Sequence, residues 1–247
     1  MSSYLSGFGL ECRKIRRTGF TPAFLTGGIL ASAFPVLNMA VRSEIYTAIR
    51  ESPVKILLDA NWQMMAMMNI LLLVAGACLM YHTEYADHAM QKMCMLPIRE
   101  SSLYLWKALL MAGMCMLTLV IEAAVITGSG IHWFVENDAG SLFAETGKNF
   151  LWFFLLLLPA VLVSLGFASA CKNMWISLGI GVICVFTATL LPTDSFILSL
   201  FPFALPFQVL SDLAGQEIRN YLFAAAAESA VIVFAELLFL KTRRHFT

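Results

Sequence analysis

The chain reads as an all-α polytopic membrane protein on three observations: its apolar content, its long apolar runs and the placing of its basic residues. Of 247 residues, 60% are apolar and only 13% are charged, against roughly half and a quarter in soluble domains. Water cannot be the main solvent of such a chain. Sixteen basic and 16 acidic residues leave no net charge, so the broad positive field that nucleic-acid binding requires is missing and that class is set aside.

A helix needs about 20 apolar residues to cross the hydrocarbon layer. Six runs are predicted to do so: Phe20 to Val41, Trp62 to Tyr81, Leu103 to Thr127, Phe150 to Cys171, Trp175 to Leu191 and Tyr221 to Leu240. They form a single domain over residues 1–247. A spanning helix satisfies its own backbone hydrogen bonds, and none of the runs alternates as a barrel strand would. Phe20 to Val41 exceeds a signal-peptide core and lacks a small-residue cleavage site after it, so it counts as a span.

Basic residues flanking spans are retained in the cytosol. With the N-terminus inside, eleven basic residues fall on the inner side (Arg13, Lys14, Arg16, Arg17, Lys92, Arg99, Lys107, Lys172, Lys241, Arg243, Arg244) and five outside. Both termini are therefore predicted to be cytosolic, in a cell membrane. All five tryptophans (Trp62, Trp106, Trp133, Trp152, Trp175) lie at or near span ends, as an interfacial belt would place them. The six cysteines fall in spans or on the inner side, and no disulfides are expected.

Three segments lie outside regular spans. Residues 3–17 predict a surface helix, with Tyr4, Leu5, Phe8, Cys12 and Ile15 on one arc and Arg13, Lys14 and Arg17 on the other side, facing headgroups. Residues 82–100 are the longest cytosolic connection, rich in charge and methionine as an adaptable docking surface would be. Pro97 is predicted to end its short helix. Residues 192–220 centre on Phe201-Pro202-Phe203-Ala204-Leu205-Pro206-Phe207. Its prolines preclude a regular span there, and its aromatics predict a re-entrant element between the fifth and sixth spans.

No catalytic chemistry is legible. The four histidines offer no His-Glu-x-x-His pair and no zinc spacing, and Gly-x-Ser-x-Gly is absent. The stretch around Gly140 to Asn149 departs from a phosphate loop in its first glycine and in Asn149, which replaces the hydroxyl. The expectation is no enzyme, no metal and no cofactor on this chain, with any ATP and magnesium held by another subunit. Charges inside spans remain: Glu122 in the third, Glu228 and Glu236 in the sixth. Such carboxylates are costly and face a bundle interior or a wet cavity, which makes a transport path one reading and hydration or protonation near an interface the other. Lys107 is expected to snorkel to the cytosol. Ala160 with Ser164, and Gly166 with Ala170, are spaced for close helix packing.

The order of parts resembles the ABC-2 type exporter permeases, and in size and style the chain is similar to their lantibiotic-protection branch. The residues carrying the likeness are Glu84 after span two, Leu96-Pro97 in the connector and Lys107 at the start of span three. The resemblance implies a half-transporter that pairs with a second permease, identical or different, and with a cytosolic ATPase dimer. It makes the N-terminal segment an elbow helix and the connector a coupling helix, with Glu84, Asp87, Met93, Leu96 and Pro97 as ATPase-coupling residues. It implies a bacterial plasma membrane and, as cargo, a cationic membrane-active peptide expelled for immunity or resistance. Outer segments carry nine acidic residues against five basic ones, a sign that suits such a cargo. Two other readings compete: an ion-coupled carrier using Glu122, Glu228 and Glu236, and a membrane sensor or scaffold.

Overall fold

Each apolar run falls on one helix, and these helices pack into a bundle. The computed structural model describes residues 2–16, 18–86, 100–134, 139–171, 173–191 and 195–246. Its helices are α1 (Ser2–Ile15), α2 (Phe20–Thr47), α3 (Pro53–Ala86), α4 (Glu100–Phe134), α5 (Ala139–Ala170), α6 (Met174–Leu190), α7 (Phe196–Ser199) and α8 (Gly215–Phe246). No strand occurs among the described residues.

Five of these helices are long and apolar enough to cross a membrane: α2, α3, α4, α5 and α8. The fifth predicted span is the shorter α6, of 17 residues. At 1.5 Å per residue it measures about 26 Å, a little under a hydrocarbon core of about 30 Å. The long helices overrun the predicted spans. α3 has 34 residues and α4 has 35, because polar turns beyond the hydrocarbon continue the helix.

α3 and α5 hold the centre. α3 packs on α2, α4, α5 and α6, and α5 packs on α3, α4, α6 and α8. Where α6 crosses α3 no side chain fits: a Cβ on Gly181 would lie 2.3 Å from Val74. Polar pairs also join helices. Asn38 donates to Asn61 at 3.0 Å across α2 and α3, and Ser52 donates to Glu145 at 2.7 Å, tying the α2–α3 turn to α5. Gly19, at φ 71°, makes the left-handed turn that separates α1 from α2. α2 itself breaks helical geometry at Arg42, one residue after its predicted end.

The Pro/Phe-rich connector lies against the bundle. It comprises α7 and two 3-10 turns, Leu205–Phe207 and Leu210–Asp212. Phe203, Leu205 and Phe207 are buried. Its carbonyls are satisfied by indoles: Trp62 Nε1 donates to Pro206 O at 3.2 Å and Trp152 Nε1 to Gln208 O at 3.0 Å. This corrects the interfacial-belt assignment for those two tryptophans, each 4% exposed. Irregular backbone buried against a bundle needs protein donors, and these two rings supply them.

The close crossing is open to test. Gly181→Val should destabilise the protein by about 1–3 kcal/mol through overpacking, and adding Val74→Ala should restore much of it. Thermal unfolding of the purified protein in detergent reads both. An unchanged midpoint in Gly181→Val would show that α6 does not sit this close to α3.

Candidate functional site

Four charged side chains from three helices meet where α1 packs on the bundle. Lys107 lies two turns inside α4, Glu84 two residues before the end of α3, and Glu11 and Lys14 one turn apart on α1. Lys107 Nζ donates to Glu84 Oε1 at 2.6 Å and to Glu11 Oε2 at 2.8 Å. Lys14 Nζ donates to Glu11 Oε1 at 2.7 Å and to Glu84 Oε1 at 3.0 Å. Two positive and two negative charges cancel. The Lys107 ammonium also lies 5.2 Å from the centroid of the Tyr81 ring, within cation–π reach.

The Lys107 side chain is 2% exposed, and those of Glu11 and Glu84 3% and 4%. Lys107 therefore does not snorkel to water as expected from its place near a span end. It is turned inward and neutralised there. Lys14, expected to face headgroups, instead points to the two carboxylates. The apolar arc of α1 supports the same docking, with Phe8 on Trp106 at 5.3 Å between ring centroids and Ile15 in the core.

Of the five expected coupling residues, Glu84 is in this knot. Asp87, Met93, Leu96 and Pro97 lie outside the described residues, as does the helix predicted for the connector. Glu11 was missed by sequence reasoning. Its signal was available: one carboxylate inside a run of basic residues, three positions before Lys14.

The three in-span carboxylates are not brought together. Glu122 is fully buried, with Asn69 Nδ2 at 2.9 Å from both its oxygens, so the reading of it as hydrated near an interface gives way to a helix-to-helix bond between α3 and α4. Glu236 accepts from the Ser169 hydroxyl of α5. Gly166 leaves it room, since a Cβ there would stand 3.3 Å from Glu236 Oε2. Glu236 lies close to Tyr104, 18 residues along α4 from Glu122, or about 27 Å at helical rise. Glu228 is half-buried on α8, and its Oε2 makes no hydrogen bond. Among the described residues no cluster of His, Cys, Asp or Glu could hold a metal ion.

Comparison with known families gives the sequence a place. The family model described as ABC-2 family transporter protein matches residues 8–188. The chain belongs to that family. The matched stretch runs from α1 into α6 and contains every member of the knot. No curated protein and no solved structure matches the chain. The family makes this chain a multi-pass membrane protein, the permease of an ABC transporter, and implies association with an ABC ATPase.

The ABC-2 permease buries its charged knot at a desolvation cost that only good geometry offsets. Burial works to raise the Glu11 carboxyl, but Lys107 and Lys14 outweigh it and hold Glu11 below its ordinary 4.5. Burial likewise works to lower the Lys14 ammonium, and attraction to Glu84 and Glu11 raises it above 10.5. The Glu11 contribution is therefore complete above pH 4.5 and lost as pH falls through its lower folded value. The Lys14 contribution is complete below pH 10.5 and lost as pH rises through its higher one. The difference in thermal midpoint between the native protein and Glu11→Gln should thus be constant near neutrality and shrink only in acid below pH 4.5. A difference that already declined above that range would show Glu11 to be unpaired.

Removing Lys107 strands two buried carboxylates with Lys14 alone. Lys107→Met should cost on the order of 3–5 kcal/mol. Glu84→Leu with Lys107→Leu keeps Glu11 and Lys14 as a pair and should recover most of that loss. Denaturant titration of the three proteins decides the point, and equal stability of Lys107→Met and the native chain would refute the buried knot.

Proposed function

We propose that this permease is the membrane half of an ATP-driven exporter and that the knot of Glu11, Lys14, Glu84 and Lys107 is its coupling element. The observation that carries the reading is position. Glu84 sits where α3 leaves for residues 87–99, and Lys107 sits two turns into the helix that returns from them. A push on that connector reaches α1, α3 and α4 together, because three ionic hydrogen bonds of 2.6, 2.8 and 3.0 Å cross between them. Asp87, Met93, Leu96 and Pro97 would form the face that meets the ATPase, with ATP and magnesium held there and none on this chain.

In this reading α2 to α6 and α8 are six crossings, with both termini in the cytosol of a bacterial cell. α1 is the elbow helix, and the connector between α6 and α8 dips in from the outer side. The exposed apolar flanks of α2 and α8, with Ile29, Leu37, Phe223 and Val231 each more than half exposed, suit lipid and a second permease subunit. The cargo we infer is a lantibiotic-like cationic peptide, by the resemblance and by the acidic outer segments. Of the three carboxylates expected on a path, Glu228 has an oxygen without a hydrogen bond, and so is the one open to a passing cation. Asn69 and Ser169 occupy Glu122 and Glu236.

Co-expressed with its ATPase, the chain should co-purify with it. Glu84→Ala should leave that association intact and cut ATP-dependent peptide export by roughly two- to thirty-fold, the range of coupling energies of about 0.5–2 kcal/mol. Replacing Leu96 and Pro97 should uncouple hydrolysis from export. Exchanging the charges, Glu84→Lys with Lys107→Glu, keeps the pair and should retain part of the activity lost in Glu84→Ala. Full export in Glu84→Ala would remove the knot from the mechanism.

A further inference from the structure

The end of the bundle opposite the knot contains a cavity of about 320 Å³ between α3, the end of α6 and the Pro/Phe-rich connector. That is within the size of small-molecule sites, toward the small end. Its lining is mixed. Trp62, Phe207 and Val209 supply apolar wall, while Asp59, Gln63 and Thr189 supply polar groups. The Trp62 ring is fixed, since its indole N–H is spent on Pro206 O and its face meets Phe153 edge-on at 5.3 Å.

Charge decides what such a cavity would take. Asp212, on the connector, lies close enough to Asp59 for their charges to repel, and Glu51 adds to the same repulsion. Among the described residues the cation acting on Asp59 is Lys55, which is bonded to Glu51 at 3.2 Å, though its charge still reaches Asp59 and Asp212. Among the described residues, three carboxylates face one ammonium. Asp59 and Gln63 are both exposed, so a solute reaches the rim without any opening of the bundle. An anion entering here would be repelled, and a purely apolar solute would leave Asp59 and Gln63 without compensation for lost water.

We propose that this cavity is a binding site for an organic cation with an apolar body, the cation at Asp59 and Asp212 and the body against Trp62 and Phe207. An ammonium or guanidinium group on a peptide and one on a small amphiphile share that chemistry. The role as a stage on an export route rests on the permease reading; the binding itself does not. Placement fits the chemistry, because the rim is polar and solvated while the wall behind it is an aromatic surface of the kind that favours cations carrying hydrocarbon.

The test uses the full chain in nanodiscs of zwitterionic phosphatidylcholine, without ATPase. Benzyltriethylammonium is the cationic probe and benzenesulfonate its anionic counterpart, each followed by saturation-transfer NMR against empty discs. A short lysine-containing peptide with one phenylalanine, used as competitor, separates a peptide site from one confined to small amphiphiles. The ammonium probe should bind and the sulfonate should not. Asp59→Asn with Asp212→Asn should weaken the ammonium by about tenfold, the scale of two Coulomb attractions screened by solvent. Asp59→Glu should retain it, and Thr189→Trp, which fills the cavity, should abolish it. Unchanged ammonium binding in the double asparagine variant, or equal binding of the sulfonate, would overturn the proposal. No ammonium binding by the native chain, where that chain co-purifies with its ATPase on co-expression, would refute the cavity alone; ammonium binding by a native chain that does not co-purify with an ATPase would refute the export role alone.

Discussion

The structure depends on the neutralisation of Lys107. An ammonium two turns inside an apolar helix and shut from water is tolerable only if opposite charge reaches it at hydrogen-bonding distance. Glu84 would cancel the charge by itself. The protein adds a second pair, Glu11 with Lys14, and that addition has a structural consequence. Both members sit on α1, so the N-terminal helix cannot leave the bundle without exposing Lys107 to an incomplete shell. Docking of α1 and burial of Lys107 are one event. The surrounding apolar contacts, Phe8 on Trp106 and Ile15 in the core, fix the orientation in which it happens.

How the bundle meets its solvent follows the same economy of charge. α3 and α5 are enclosed by their neighbours, whereas α2 and α8 turn apolar side chains outward. In water those flanks would drive association; in hydrocarbon they are simply solvated. Polar groups within the apolar region are paired across helices instead, Glu122 with Asn69 and Glu236 with Ser169. Each pair ties one central helix to a neighbour, α3 to α4 in the first case and α5 to α8 in the second.

Hydropathy made the long helices legible because it reports the part of a helix that meets hydrocarbon, and for the same reason it missed their ends. Pro53 to Asn61 in α3 and Ala139 to Asn149 in α5 are helical without being apolar enough to register as span. The amphipathic reading of α1 found its buried arc at Phe8 and Ile15 but put Lys14 on the wrong side. A helical wheel sees periodicity, and the carboxylate that turns Lys14 inward lies 70 residues away in sequence. Trp62 and Trp152 misled for a related reason. Tryptophan near a span end is as useful for donating to an irregular connector as for resting at a headgroup, and only the tertiary neighbour decides between them. Glu84 and Lys107 were each singled out through family likeness, but not as partners, since Lys107 was expected to snorkel; the ion pair between them is a tertiary fact. Its completion by Glu11 was visible only as an isolated acidic residue in a basic run.

Not every helix can carry a displacement from one end of the bundle to the other. α2 holds Pro35 and breaks at Arg42, and α5 holds Pro159; such points yield before they transmit. α3 has proline only at its first position, where it begins the helix without bending it. From Glu84 in the knot to Trp62 at the cavity is 22 residues of unbroken helix, about 33 Å. A rotation or translation imposed at Glu84 therefore arrives at Trp62 nearly undiminished. Trp62 is bonded to the connector that closes the cavity, so a movement of α3 must either carry that connector along or break the indole bond to Pro206. The same rod that is clamped by charge at one end is thus tied to the opposite rim by hydrogen bonds, Trp62 to Pro206 and Asp59 to Ser211. This is the geometry a permease needs if force applied at one face is to change access at the other.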